Sequence, residues 1–165
     1  MVHIRDAGDG DVHGLLAIYN DVIATSTAVF RDAPATLDER REWLRARAAQ
    51  GYPVLVAADD SGVTGFASFG DFRAWTGYRF TVEHTVHVRA DCRGRGIGAA
   101  LMTPLMARAT SLGKHVMVAG VDAHNDASLR FHERLGFVRV AHFREVGFKF
   151  GRWLDLVFLQ SMLRP

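Results

Sequence analysis

TVEHTVHVRADCRGRGIGAALMTPLMARATSL, residues 81–112, decides how the rest of the chain is read. Its first eight residues alternate and contain five β-branched positions, which is strand character. RADC turns the chain into RGRGIG, residues 93–98. The segment from Ala99 to Leu112 then reads as a helix, with Ile97, Leu101, Leu105, Ala109 and Leu112 on one stripe. Pro104 falls inside that helix and removes one backbone hydrogen bond. A strand that feeds a glycine-rich loop opening a helix is a device for holding phosphate. The first helical turn leaves backbone N–H groups free, and the helix dipole adds partial positive charge. Arg93 and Arg95 add fixed charge, and Gly94, Gly96 and Gly98 allow close backbone approach.

Two familiar phosphate loops fit poorly. A P-loop ends in Gly-Lys-Ser/Thr, and this loop has no lysine. A dinucleotide fold places its GxGxxG in a βαβ unit, with an acid about 20 residues on. Asp122 stands near that distance, but the spacing here is one residue short and the loop lies past mid-chain.

The composition narrows the class. The chain has 165 residues, 48% of them hydrophobic, enough for one domain with a real core. No apolar run is long enough to cross a bilayer, and residues 1–11 do not read as a signal peptide. A net charge of +2 without a basic block gives no indication of nucleic acid or membrane partners. One cysteine excludes an internal disulfide and suits a reducing, cytoplasmic setting.

Taken in order, residues 2–5 form a short strand and residues 13–24 an amphipathic helix. Thr36 or Asp38 caps a second helix that ends at Gly51, with Trp43 and Leu44 facing the core and its charges on a solvated face. PVLVAA (53–58) and VTGFASFG (63–70) pair as a hairpin through Asp60-Ser61-Gly62. Phe72, Trp75, Tyr78 and Phe80 read either as core and hairpin-edge residues or as neighbours of a site in which Arg73 and Arg79 meet an anion. HVMVAGV (115–121) is a further buried strand. Asn125 or Asp126 caps a short helix that ends at Gly136. Segments 139–146 and 153–162 close the chain as two strands joined through GFKFGR.

Within TVEHTVHV, Thr81, Glu83, Thr85 and His87 share one face, and Val82, His84, Val86 and Val88 the other. A carboxylate in a central strand must be paired or solvated through a cleft. Glu83 is therefore a candidate base; its alternative role is an ion pair with Arg73 or Arg79. His84 and His87 point to opposite faces and cannot share a metal, so no metal site is expected. Cys92 has no accompanying His/Asp triad and is not read as a nucleophile.

The order β-α-α-β-β-β-α-β-α-β-β and the two motifs now act together. RGRGIG resembles the (Q/R)xxGx(G/A) pattern of the GNAT N-acetyltransferases through Arg93, Gly96 and Gly98. Asn125, Ala127, Ser128 and the LGF of 135–137 resemble the second half of that family's acetyl-CoA site. AIYND, TAVFRDAP, GYPVLVA, FGDFR, YRFTVEH and KFGRWLD are similar to the phosphinothricin and methionine sulfoximine acetyltransferase branch, nearly end to end. The resemblance implies an α/β GNAT fold over residues 1–165: a mixed, mostly antiparallel sheet of about six or seven strands, flanked by about four helices and splayed at an acetyl-CoA cleft.

It further implies acetyl-CoA as co-substrate, no metal, and direct transfer to the amine of a small amino-acid-like acceptor. Backbone groups from Gly94 to Ala99, with Arg93, Arg95, Gly96, Ile97 and Gly98, would grip the pyrophosphate. Val86, His87 and Val88 would pair with the pantetheine arm as an added strand does, and Asn125 and Ser128 would complete the cofactor side. A backbone N–H near Val86 would stabilise the oxyanion. Glu83 maps to the base. His132 stands where many relatives have a tyrosine that serves the leaving thiolate, and it can also be a packed helix residue. Phe30, Arg73, Ala74, Trp75, Glu83, His84 and Thr85 would line the acceptor pocket. The family implies a homodimer, with KFGRW contributing near the interface. His87 departs from the tyrosine common in this branch, and Pro104 is a further departure. Competing readings are a GNAT enzyme for another amine (a peptide N-terminus, a polyamine or an antibiotic) and a non-catalytic acyl-CoA-binding module.

Overall fold

The computed structural model describes residues 1–164. Eleven main elements follow the expected order: β1 His3–Asp6, α1 Val12–Thr25, α2 Leu37–Ala49, β2 Val54–Asp59, β3 Gly62–Asp71, β4 Thr81–Val88, α3 Ile97–Ser111, β5 Val116–Asp122, α4 Asp126–Arg134, β6 Val138–Lys149 and β7 Arg152–Met162. The strands form one sheet in the order β1-β2-β3-β4-β5-β7-β6. Every neighbouring pair is antiparallel except β4 and β5.

Local chemistry sets the helix starts. Asp11, at the head of α1, accepts from the Gly8 amide at 2.8 Å and from both terminal nitrogens of Arg5. Thr36 and Glu39 cap α2 reciprocally: Glu39 N–H donates to Thr36 Oγ1 at 3.1 Å, and Thr36 N–H donates to the Glu39 carboxylate at 2.6 Å. Asn125, not Asp126, caps α4, accepting from Ser128 N–H.

The sheet is covered on both faces, which explains the continuous apolar run of β2. Leu55 and Ala57 join the larger core, where Leu101, Leu105 and Ala109 of α3 meet Phe69, Met117 and Leu159. Val56 points the other way and packs with Leu15 and Ile18 of α1 and Phe66 of β3. A strand buried on both sides shows no alternation. Pro104 sits within α3, and the helix runs on as one element to Ser111.

Four details differ from the sequence expectation. Leu112 is exposed, because it caps the end of α3, where the chain leaves the core. Arg40 of α2 is buried, not solvated. Its guanidinium lies 3.9 Å from the Tyr19 ring centroid and 4.5 Å from that of Trp43, so aromatic faces replace water around the charge. GFK belongs to β6, and only Phe150-Gly151 turns the chain into β7; Gly151 has φ 73°. Trp75, Tyr78 and Phe80 are exposed, so the segment after β3 adds little to the core.

Candidate active site

β4 is paired with β3 along its length, from Val82 opposite Asp71 to Val88 opposite Gly65. On its other side it pairs with β5 only through Thr81, Glu83 and the Val82 between them. Beyond Glu83 the two strands part. From His84 to Val88 the strand has no ladder partner on the β5 side. A cavity of about 270 Å³ fills this fork, lined by Glu83 to His87 of β4, Ala119 to Asp122 of β5, Tyr19, Ala28 and Val29, and Asn125, Ser128 and His132 around α4.

Glu83, half-buried, stands at the point of the fork. Gly120 across the cavity makes room for it: a Cβ there would lie 3.1 Å from Glu83 Oε1. Among the described residues Glu83 has no ion pair, with Arg73 and Arg79 or any other cation. Burial pushes its carboxyl above the usual glutamate range, and the nearby charge of Arg73 opposes that shift in part. A partly desolvated carboxylate with free lone pairs is equipped to take a proton.

Behind Glu83 lies a histidine pair. His84 Nε2 and His132 Nε2 are 3.1 Å apart, and His132 Nδ1 is 2.7 Å from the Ser128 carbonyl. A carbonyl only accepts, so His132 carries its proton on Nδ1. Its Nε2 is then bare and accepts from His84 Nε2–H. His84 Nδ1 is left buried with no partner. Burial, then the neighbouring His132 and His87, drive the His84 pKa far down. Burial also lowers that of His132, partly offset by the Ser128 carbonyl. Both rings are neutral near pH 7.

His87 points to the other face, against Phe66 and Tyr19. Burial, with Arg40 and then Arg93 nearby, pushes it down to about 4. The two strand histidines point to opposite faces, as their alternation requires.

A second groove, about 590 Å³, continues from the cavity and shares Val86 and Ser128 with it. Val88, Arg93, Gly94 and the residues from Gly96 to Ala99 form one side, and Phe131 of α4 the other. Gly94 and Gly96 have φ 74° and 77°, so the loop reaches α3 through left-handed turns that other residues resist. Gly98 packs directly on α4, since a Cβ there would sit 3.2 Å from the Phe131 ring. The first amides of α3, from Ile97 to Ala99, have no acceptor within their own helix and border this groove.

The expected site residues therefore fall into two groups. Glu83, His84, Thr85, Val86, His87, Asn125, Ser128 and His132 line the cavity, and Val86, Val88, Arg93, Gly94, Gly96, Ile97, Gly98, Ala99 and Ser128 line the groove. Arg95 lines neither: its guanidinium folds back to the Asp91 carbonyl at 3.0 Å. Phe30, Arg73, Ala74 and Trp75 lie outside the cavity lining, on exposed backbone. Sequence reading missed Tyr19, which follows the core stripe of α1, and Asp122, whose buried carboxylate accepts from the Thr27 hydroxyl and the His124 amide. It also missed Lys149, a lysine with 1% exposure in a strand end.

A forked sheet whose separated strand leads into a glycine-rich helix start is shared with known proteins. The acetyltransferase (GNAT) family matches residues 15–137. This chain belongs to that family. The GNAT chain is 52% identical over 163 residues to an L-methionine sulfoximine/L-methionine sulfone acetyltransferase of Pseudomonas paraeruginosa, covering 98% of this chain and 95% of that one. It is 38% identical to a phosphinothricin N-acetyltransferase of Alcaligenes faecalis, with 97% and 82% covered. A structure from Salmonella typhimurium solved with its cofactor acetyl-CoA superposes with a TM-score of 0.96 at 45% identity, with 99% and 94% covered. No helix among the described residues of this GNAT protein is long and apolar enough to cross a membrane.

Proposed function

We propose that the protein transfers the acetyl group of acetyl-CoA to the amino group of a small amino-acid-like acceptor of the methionine sulfoximine, methionine sulfone or phosphinothricin type. The observation that carries this is the position of Glu83, an unpaired carboxylate at the closed end of a fork that opens into a phosphate-type groove. The groove fits the donor. Free amides at the start of α3 and the guanidinium of Arg93 suit a pyrophosphate, and the unpaired edge from Val86 to Val88 suits a pantetheine arm. The acceptor cavity, about 270 Å³, falls below the roughly 300–1,000 Å³ of drug-sized ligand sites. That favours a compact amino acid over a peptide terminus or polyamine.

Acetyl-CoA supplies an activated thioester carbonyl. Glu83 removes one proton from the acceptor's ammonium, directly or through water, and frees the nitrogen lone pair. The nitrogen–carbon bond then forms, and the carbon–sulfur bond breaks. A backbone N–H near Val86 steadies the carbonyl oxygen as it gains charge. The nitrogen must lose a second proton to become an amide, and the departing thiolate must gain one. His132 serves that exchange. Its Nε2 accepts from His84 Nε2–H at rest, so that contact opens first; Nε2 then takes up the nitrogen's second proton before passing it to sulfur. Arg73 binds the acceptor's acidic end, with Phe30, Ala74 and Trp75 beside it and His84 and Thr85 below.

One sheet runs from residue 3 to residue 162, which supports a single catalytic domain over residues 1–165. The working form is a homodimer. β6 is a sheet edge, and Val138, Val140, Val146, Phe148, Phe150 and Trp153 present an exposed apolar surface of the kind that a second copy covers. The acetyl donor and the free Cys92 suit a cytoplasmic setting.

The test is thiol release from acetyl-CoA across a panel of amino-acid analogues, peptides and polyamines, with sedimentation for the oligomer. Turnover confined to the amino-acid analogues is the expected result. Turnover only with peptides or polyamines would sink the acceptor assignment. Acetyl-CoA binding with no acetylation of anything would point to a binding module.

A further inference from the structure

We propose that Lys149 is a positioning residue that fixes the acceptor wall from the far end of the sheet; the inference rests on the acceptor reading above. Lys149 is fully buried at the end of β6 and has no carboxylate partner among the described residues. Its ammonium donates to the carbonyls of Ile23 at 2.6 Å, Ser26 at 2.7 Å and Val29 at 2.9 Å. All three donors of the ammonium are thus used. The acceptors are the last turn of α1 and the loop after it, the stretch that supplies Ala28 and Val29 to the cavity.

A methionine would fill the same space without desolvating a charge. What it would lack is three directed donors. The loop has no ladder of its own, so its shape depends on anchors. Lys149 holds its start and middle. The Thr27 hydroxyl donates to Asp122, at the cavity end of β5. Phe30 packs against Gly147 of β6, where any side chain would collide with its ring. Two of these anchors come from β6, whose edge carries the apolar surface described above. The acceptor wall is therefore hung from a strand that takes no part in holding the donor.

The experiment compares the intact protein with Lys149→Met, Thr27→Val and Gly147→Ala. Methionine sulfone is the acceptor, calorimetry gives acetyl-CoA Kd, and hydrogen exchange is followed over residues 24–31. Lys149→Met is expected to raise the acceptor KM about tenfold or more, because small misplacements of a positioning wall are magnified in catalysis. Acetyl-CoA Kd should stay within about twofold, the size of an untouched site's scatter. Faster exchange should be confined to 24–31. An acceptor KM equal to that of the intact protein, or KM and Kd rising together with exchange everywhere, would overturn the assignment. If Lys149→Met does not fold, Gly147→Ala and Thr27→Val decide by the same split, and unchanged acceptor KM in both overturns it. No turnover in the intact protein sinks the acceptor reading instead. In that event, unchanged exchange over 24–31 in Lys149→Met counts against the anchor by itself.

Discussion

His84 and His132 meet through their Nε2 atoms at 3.1 Å, and the Ser128 carbonyl decides which of them holds the shared proton. The consequence is a definite pair of tautomers. Nitrogen-15 spectra at pH 7 should show His132 protonated on Nδ1 and His84 on Nε2. In His84→Leu the His132 Nε2 loses the donor that favours its neutral form. His132 should then titrate closer to 6.5, the ordinary value. A His132 that titrates unchanged in that variant would remove the pairing from the argument.

Two neutral strand histidines also shape the acid stability. His84 and His87 both lie below their unfolded value of 6.5. Above pH 6.5 neither state binds a proton at these sites, so their contribution is fully present. As pH falls from 6.5 toward 4, the unfolded chain takes up protons that the native rings refuse. Stability should then fall by about 1.4 kcal/mol per pH unit for each histidine. Urea midpoints between pH 4 and 8 measure this, and His87→Phe should flatten the slope by about one proton. An acid transition that begins only in the carboxylate range would contradict it.

Glu83→Gln keeps the shape of the side chain and removes the proposed base. We expect kcat to fall roughly 10²–10⁴-fold, with acetyl-CoA affinity unchanged. The intact enzyme should gain activity with rising pH along a limb set by Glu83, above the ordinary glutamate range because burial disfavours its charge. That limb should vanish in the glutamine variant.

Arg73 lowers the Glu83 pKa, so its removal has two linked effects. Arg73→Ala should raise the acceptor KM about 10- to 100-fold by losing a charge-assisted contact. It should also move the acid limb to higher pH. A KM effect without the shift would separate Arg73 from the base.

At the donor end, Gly96→Ala places a side chain at φ 77°. The left-handed backbone costs about 1–2 kcal/mol. It also disturbs the amides of the first α3 turn. Acetyl-CoA Kd should rise while the acceptor KM stays near its original value, the mirror image of the Lys149→Met result. Calorimetry and steady-state rates distinguish the two.

Much of this was legible in advance because it is local. The strand, loop and helix of residues 81–112 follow from alternation, glycine placement and a 3.6-residue stripe, and all three are found where those patterns put them. The GNAT assignment needed two motifs at a distance, and Ser128 of the second lines the same groove as the glycine loop of the first. What escaped was long-range. Lys149 looks like an ordinary exposed lysine until β6 is laid beside the end of α1. Asp122 was noticed for a dinucleotide spacing, while its partner Thr27 is far off in sequence. Arg40 read as a surface charge because nothing local announces that Tyr19 and Trp43 will enclose it.

The fork at Glu83 has a mechanical consequence. Among the described residues, the strands β5 to β7 are joined to β1 to β4 along the sheet by the short ladder at Thr81, Val82 and Glu83 and by the Phe80 carbonyl just before it. The weakest seam of the sheet therefore lies at its centre, with Glu83 at its last stitch. A small pivot about that seam would widen or narrow the acceptor cavity without unpairing a single strand, and a donor lying along Val86 to Val88 would act as the keystone that locks it.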